Sequence, residues 1–250
     1  MRVLHNYPQG YSARWLRRWA LVAVLLADAP MATRAQQVLV QANVADDTLK
    51  TSFGPNRRWF GHGYVGLGLV AGPAQTGAAL RYGLLSAEAR VGGRLKLRLG
   101  QSVALCADLG YGYLRYELAQ ESGKLVPTPA LHRRENLALH QLAAEAGLRL
   151  NYGRRGNAVG SYLDLLAGGS WAAGTRHTTA DVPAPGIQAV ETTESGLPYL
   201  RRFSSSAGAR LGLDRYALVA RYRLSSAFAS GYAGWPELPR WVLGFEVGLF

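Results

Sequence analysis

The sequence predicts an all-β fold, an eight-stranded antiparallel up-and-down transmembrane β-barrel, from three observations. Apolar and polar residues alternate along eight segments, as they do in strands whose two faces meet different surroundings. The connections between the segments are short turns and long loops in alternation, and the even number of strands puts both ends of the chain on the short-turn side. The N-terminus carries the features of an export signal.

Residues 1–35 are expected to be a cleaved signal peptide. Three arginines precede an apolar run, Trp19–Ala27, that is too short to cross a bilayer as a helix. Small residues at the −3 and −1 positions place the cleavage before Gln36, and an N-terminal membrane anchor is the alternative. We expect residues 36–57 to be a periplasmic tail or a segment in the lumen, and residues 58–250 to be the barrel.

The composition narrows the possible functions. The chain has a formal net charge of +12, which suits lipid phosphates or polysaccharides, and export argues against nucleic acid as a partner. The single cysteine, Cys106, rules out an intramolecular disulfide and a cysteine-based metal cluster. Neither an HExxH nor a GxSxG motif is present, so no metal, cofactor or serine-hydrolase site is predicted.

The eight segments follow one another with the length and pattern of strands. Their predicted bounds are Trp59–Ala71, Leu80–Leu99, Ser102–Leu118, Leu137–Asn151, Ala158–Gly174, Phe203–Leu213, Tyr216–Phe228 and Arg240–Phe250. In each, apolar residues fill alternate positions; in chain order, examples are Val65 and Leu67, Leu95 and Leu97, Leu105 and Leu109, Leu142 and Leu148, Leu163 and Leu165, Leu211 and Leu213, Leu218 and Tyr222, and Leu243 and Phe245.

The fourth segment is also compatible with a helix, because it is rich in alanine, leucine and glutamate. The unbroken alternation from Gln141 to Asn151 favours a strand. A soluble lipocalin-like barrel is a rival for the whole fold, since alternation alone does not say which face is inside. The alternation of short turns with long loops and the export signal favour an outward apolar face in contact with lipid.

If the apolar face is outward, the charged face lines the lumen. Buried charges are tolerated when they are paired, so we expect a salt-bridge network through the barrel. Its predicted members are Glu88, Arg90, Arg94, Lys96, Arg98, Asp108, Glu145, Arg149, Asp164, Arg210, Arg221, Arg223 and Glu246. Such a network would block ion flow.

With this pattern and its aromatic C-terminus, VGLF, the region Trp59–Phe250 resembles the small eight-stranded outer-membrane barrels of the OmpA/OmpX-like group. The resemblance implies a Gram-negative outer-membrane location and recognition of the last strand by the barrel-assembly machinery. It departs from the group at Phe250, because Val247 and Leu249 hold the lipid-facing parity.

The predicted function is non-enzymatic, namely a structural or surface-interaction role through long extracellular loops, with a monomer that contacts outer-membrane lipid and lipopolysaccharide. A rim enzyme acting on lipid or peptide, and a narrow channel or transport accessory, are the alternatives. The rim enzyme would draw on histidines and acids near the long loops, which are His132, His140, His177, Asp181, Glu191 and Glu194. Predicted contacts to glycolipid phosphate are Arg133, Arg134, Arg176, Arg201 and Arg202.

Overall fold

The computed structural model describes residues 54–153, 156–182 and 188–250, and the regular structure there is almost entirely β-strand. The strands are β1 Trp59–Ala71, β2 Ala87–Arg98, β3 Val103–Glu117, β4 Arg134–Tyr152, β5 Ser161–Asp181, β6 Val190–Ser195, β7 Phe203–Leu213, β8 Tyr216–Arg223 and β9 Trp241–Leu249. Two 3-10 helices, Gly83–Leu85 and Ser230–Tyr232, lie in loops. Among these residues no helix has the length and apolar character needed to cross a membrane.

Eight of the nine strands close an antiparallel ring. Each strand pairs with its neighbour along the chain, except that β7 joins β5 directly and β6 stands beside the ring. The first and last strands meet in register, from Gly63 against Leu249 to Ala71 against Trp241, which closes the barrel. The predicted eight-stranded antiparallel up-and-down barrel is therefore confirmed.

The apolar face points outward and the charged face inward. Leu95 is 45% exposed, whereas its neighbour Lys96 is 1% exposed. The same contrast separates Leu109, exposed on the outer surface, from the buried Asp108. A closed ring pairs the backbone N–H and C=O groups of its strands, and its outer surface is apolar. Both properties suit contact with hydrocarbon.

Glycines in the lumen make space for large side chains on neighbouring strands. A Cβ on Gly212 would lie 2.0 Å from the ring of Tyr162, so the ring can lie over this position inside the lumen only because the residue there is glycine. A Cβ on Gly92 would meet the Leu109 carbonyl oxygen at 2.5 Å and the Tyr64 hydroxyl at 2.9 Å. Cys106 is buried on the inward face of β3, two residues before Asp108.

Several predicted strand boundaries differ from the structure, while those of β1 and β7 agree with it. The second strand begins at Ala87 instead of Leu80, because Gly83 has a positive φ of 80° and starts a 3-10 helix. The seventh predicted strand ends at Arg223 instead of Phe228. The fourth segment is a strand throughout, so the helical alternative is wrong.

The largest difference lies after the fifth predicted strand, where the sequence suggested only a long loop. β5 continues to Asp181, and β6 pairs with its last six residues. A register shift between His140 and Gln141 leaves Ala173 without a partner on β4, which identifies a β-bulge. Beyond it, β4, β5 and β6 form a three-stranded sheet that extends past the end of β7.

The long loops close over their end of the barrel around an apolar core. Side chains at the ends of β1, β3 and β4 meet others from the loops before β7 and β9. The fully buried members include Val126, Leu137, Phe228 and Leu238, and Tyr199, Tyr232 and Trp235 pack against them. This cluster, which we call the apolar cap, separates the interior of the barrel from the long-loop surface.

Candidate functional site

The interior of the barrel holds one connected set of ion pairs, which we call the lumen network. Inward positions of β2, β3, β4, β5, β7, β8 and β9 supply five arginines and five carboxylates. They are Arg90, Arg94, Arg149, Arg210 and Arg221 with Glu88, Asp108, Glu145, Asp164 and Glu246. The formal charges of these ten groups cancel, which lowers the cost of burying them.

Arg210 stands at the centre of the lumen network. Its side chain is fully buried, and its nitrogens lie 2.8 Å from Asp108, 2.9 Å from Asp164 and 2.9 Å from Glu246. These three carboxylates belong to β3, β5 and β9, so a single guanidinium connects three separate parts of the barrel wall. The planar fork of arginine suits several carboxylates at once, which a lysine ammonium does not match.

The remaining arginines extend the network along the barrel axis. Arg149 forms a two-point contact with Asp164, at 2.7 and 2.8 Å, and its guanidinium lies 3.7 Å from the centre of the Tyr162 ring. Arg221 lies 2.8 Å from Glu145 and 2.6 Å from Glu246. Each charge therefore has at least one opposite charge within hydrogen-bonding distance.

Three predicted members make different contacts. Lys96 donates a hydrogen bond to the carbonyl oxygen of Pro55, and Arg98 donates one to Asn56 at 3.2 Å. Arg223 pairs at 2.8 Å with Glu237, a loop residue that the alternation did not point to. Lys96 and Arg98 thus bind the segment that precedes β1 at the short-turn end, and Arg223 binds the loop at the other end.

Both ends of the lumen are occupied by side chains. At the short-turn end the rings of Phe60, His62 and Phe250 pack together, with centroids 5.0–5.4 Å apart. This contact gives Phe250 a position on the lumen side, in keeping with its departure from the lipid-facing parity. At the long-loop end lies the apolar cap. Between the cap and the network, a cavity of about 50 Å³ beside Ser170 and Arg90 has room for a few waters.

Two of the three rim histidines pair with carboxylates. His132 Nδ1 lies 2.6 Å from Asp181, and His177 Nε2 lies 2.8 Å from the buried Glu135. Because His132 hydrogen-bonds to the Asp181 carboxylate, the pKa of that acid is lowered. His140 instead contacts the hydroxyl of Tyr111, at 2.5 Å, on the outer surface. Glu194 approaches His177 at 3.9 Å, whereas Glu191 is an exposed residue of β6.

Among the described residues, the hydrogen bonds of the rim histidine rings go to carboxylates and to a tyrosine hydroxyl. Throughout residues 54–153, 156–182 and 188–250, no Ser, Thr or Cys side chain hydrogen-bonds to a histidine. Glu135 also accepts hydrogen bonds from Lys124 and Gln120, so its contacts hold the loop before β4 in place. In the same part of the chain, no group of three or more His, Cys, Asp or Glu residues is arranged to hold a metal ion.

The five rim arginines proposed for glycolipid phosphate all lie on the side of the rim formed by β4, β5 and β7. Arg133, Arg176 and Arg202 are exposed. Arg134 lies 2.7 Å from Glu117, and Arg201 reaches the Phe228 carbonyl oxygen at 3.4 Å. Two of the five therefore bind other parts of the protein, although the Arg134 side chain is still 48% exposed, and the other three face solvent.

Sequence reasoning missed four charged residues at the long-loop end, namely Glu117, Lys124, Glu135 and Glu237. Each is buried or nearly so and pairs with an opposite charge. Glu135 and Glu117 lie just outside or at the end of predicted strands, where alternation stops being informative. For Lys124 and Glu237 the sequence holds no local signal, because their partners depend on how the loops fold back.

Comparisons with known proteins do not assign this chain to a family. No family matches the sequence, and no curated protein matches it. Among solved structures, Ail, the attachment invasion locus protein of Yersinia pestis, was crystallised with the heparin analogue sucrose octasulfate. It is 11% identical, with 76% of this chain and 99% of that chain covered and a TM-score of 0.30.

A second solved structure is the N-terminal β-barrel domain of Pseudomonas aeruginosa OprF. It is 14% identical to this chain, with 75% of this chain and 95% of that chain covered and a TM-score of 0.25. Both scores are low, so the architecture of the chain rests on its own strand pairing, and neither likeness bears on its function.

Proposed function

We propose that the chain is a non-enzymatic outer-membrane barrel with a closed interior and a surface-interaction role at its long-loop end. The single observation that carries the proposal is the lumen network, whose ten buried charges pair with one another across the interior of the barrel. A barrel whose interior is filled in this way offers no open path for ions. The exposed features that a barrel serving only as a membrane anchor would not need all lie at the long-loop end.

The apolar outer surface supports a membrane location. A continuous band of exposed aliphatic side chains surrounds the ring, and aromatic side chains flank it. Tyr152 and Tyr216 lie toward the short-turn end, and Trp171, Phe203 and Trp241 toward the long-loop end. Two aromatic belts around an apolar band are typical of barrels in the outer membrane.

Within this proposal, residues 1–35 act as the export signal; they lie outside the residues that the structure describes. The last strand is the segment offered to the barrel-assembly machinery, the surrounding lipid and lipopolysaccharide are the standing partners, and the protein works as a monomer.

The three-stranded sheet of β4, β5 and β6 beyond the bulge at Ala173, which we call the projecting sheet, is the surface that we assign to the interaction. All six residues of β6 are exposed, and β6 forms a ladder only with β5 among the described strands. Its other edge therefore presents backbone donors and acceptors to solvent. Such an edge accepts an added strand from an extended peptide, with the main chain supplying affinity. The partner class is thus an extended segment of another protein.

The membrane part of the proposal is tested by fractionation and bilayer recording. We expect the protein in the outer-membrane fraction, with a mobility on SDS gels that changes on boiling. In planar bilayers the purified protein is expected to give no stepwise conductance. A soluble periplasmic product would contradict the membrane location, and regular conductance steps would contradict the closed interior.

The interaction part is tested on the edge of β6. Thr192→Pro and Thr193→Pro each remove one backbone N–H, and since successive N–H groups point to opposite edges, one of the two acts on the free edge. With an array of immobilised unstructured peptides as the probe, at least one variant is expected to lose binding that the wild type shows. Glu191→Gln, which leaves the backbone intact, is the matched control. Equal peptide binding by all four proteins would contradict the assignment.

A further inference from the structure

A second cavity lies on the opposite side of the rim from the projecting sheet. It has a volume of about 260 Å³, is open to the surface, and is lined by the loop after β1, the loop before β9 and the adjoining ends of β8 and β9. The side chains that shape it are Pro73, Gln75, Tyr222, Glu237, Arg240 and Trp241. None of these residues belongs to the lumen network or to the predicted glycolipid contacts. We call it the interfacial pocket.

Two aromatic rings form one wall of the interfacial pocket. Tyr222 and Trp241 are cross-strand partners on β8 and β9, with ring centroids 4.9 Å apart, and the indole is 42% exposed. Gly72 lets the loop after β1 approach this wall, since it has a φ of 96° and a Cβ there would lie 3.2 Å from Trp241. An exposed indole beside a phenol offers a flat apolar surface for the face of a sugar ring.

A partly engaged positive charge borders the same pocket. Arg240 reaches the Leu224 carbonyl oxygen at 3.4 Å and Glu237 at 3.5 Å, both at the limit of a hydrogen bond, and its side chain is 34% exposed. Glu237 is held more tightly by Arg223, at 2.8 Å, and by the backbone N–H of Ala227, at 2.9 Å. Arg240 can therefore turn to a stronger acceptor without leaving Glu237 unpaired.

The position of the interfacial pocket along the barrel axis indicates where its ligand comes from. Tyr222 and Trp241 belong to the aromatic belt at the long-loop end, which is where lipid headgroups meet the protein. We propose that the interfacial pocket binds the phosphorylated sugar headgroup of a membrane glycolipid, with the sugar on Trp241 and the phosphate on Arg240. The inference rests on the proposed membrane location and adds a specific site to it.

The test is native mass spectrometry of the full-length protein in detergent, titrated with a bisphosphorylated diglucosamine lipid and with its dephosphorylated form. Arg240→Gln is expected to weaken binding of the phosphorylated lipid by about tenfold or more. It is expected to leave the dephosphorylated lipid unaffected. Trp241→Leu is expected to weaken both lipids. Arg81→Gln, which removes the same charge from an exposed loop position outside the pocket, is the control.

Equal losses in Arg240→Gln and Arg81→Gln would overturn the proposal, because general electrostatic attraction would then explain binding. Unchanged lipid binding by Trp241→Leu would overturn it as well. Folding of that variant is checked by the boiling-dependent mobility, and Tyr222→Leu replaces it if it fails. Binding of free glucosamine 1-phosphate as tight as that of the lipid would overturn the membrane source. Because these titrations use purified protein, their failure is distinguishable from a failed fractionation.

Discussion

Arg210 shows at the residue scale what the alternation can and cannot predict. Its inward direction follows from its position in the pattern between Ala209 and Leu211. Its partners do not, because Asp108 and Glu246 lie across the lumen on strands that are not its neighbours. Which residues meet there depends on the stagger of the strands around the barrel, and the sequence carries no direct signal for that stagger.

Replacement of Arg210 by methionine is expected to lower the free energy of unfolding by about 3–5 kcal/mol, because the buried carboxylates lose their shared counter-charge. The measurement is urea unfolding of the protein in detergent micelles, followed by tryptophan fluorescence. Arg202→Met, at an exposed position, is the control and should change little. A loss below about 1 kcal/mol in Arg210→Met would show that the network is not built around this residue.

Glu237 gives the long-loop end a dependence on pH. Burial alone would raise the pKa of this carboxyl, but hydrogen bonds from the Ala227 amide, the Ser226 hydroxyl and the Arg223 guanidinium outweigh burial and lower it. The resulting stabilisation is fully present above the pKa of the unfolded chain, about 4.3. It is lost as the pH falls through the lowered pKa of the folded state.

Hydrogen exchange of residues 224–240 should therefore stay slow from pH 7 down to about pH 5 and accelerate, beyond its intrinsic pH dependence, at lower pH. In Glu237→Gln the same segment is expected to exchange faster at pH 7 and to lose this acid transition. An acid transition of equal size in the variant would assign it to another group.

At the scale of single strands, the agreement with the sequence is best where both faces of a strand have uniform surroundings. β1 and β7 have the predicted bounds because the outer surface of the barrel lies on one side and the lumen on the other along their whole length. The end of β5 is different, since the bulge at Ala173 changes the parity and brings Thr175 and His177 inward. β6 is exposed on both faces, so it has no alternation by which to recognise it.

The close approach of β4 and β5 gives a prediction at the same scale. A Cβ on Gly168 would lie 2.4 Å from the Ala144 carbonyl oxygen and 2.9 Å from Glu145 Cα, so the backbone would have to move. Gly168→Ala is expected to lower the free energy of unfolding by about 1–3 kcal/mol. Gly93→Ala is the matched control, because a Cβ there meets nothing within 4 Å. Equal stability of the two variants, measured by urea unfolding, would contradict the predicted clash.

For the whole molecule, the lumen network bridges the closing seam through the interior, because it joins β9 to β2, the strand on the other side of β1. Glu246 on β9 lies 2.7 Å from Arg94 and 2.6 Å from Arg221, in addition to its contact with Arg210. The sequence predicted that the interior is charged and that its basic side chains pair with its acidic ones. It could not predict that one carboxylate beside the closing seam of the barrel serves three arginines.

Glu246→Gln is therefore expected to loosen the seam between β1 and β9 more than the rest of the ring. The measurement is hydrogen exchange in detergent, with faster exchange in β1 and β9 and little change in β4. Glu88→Gln, whose contacts at hydrogen-bonding distance involve Arg90 alone, is the comparison. Uniform acceleration around the barrel would mean that the seam has no special dependence on Glu246.

The buried Cys106 has a practical consequence for following these changes. Since the chain contains one cysteine and its side chain lies against the barrel interior, thiol-reactive dyes have no other target. Labelling by a bulky maleimide would report the moment at which the wall around β3 opens to water. The natural sequence thus carries its own reporter of breathing and unfolding, without an engineered label.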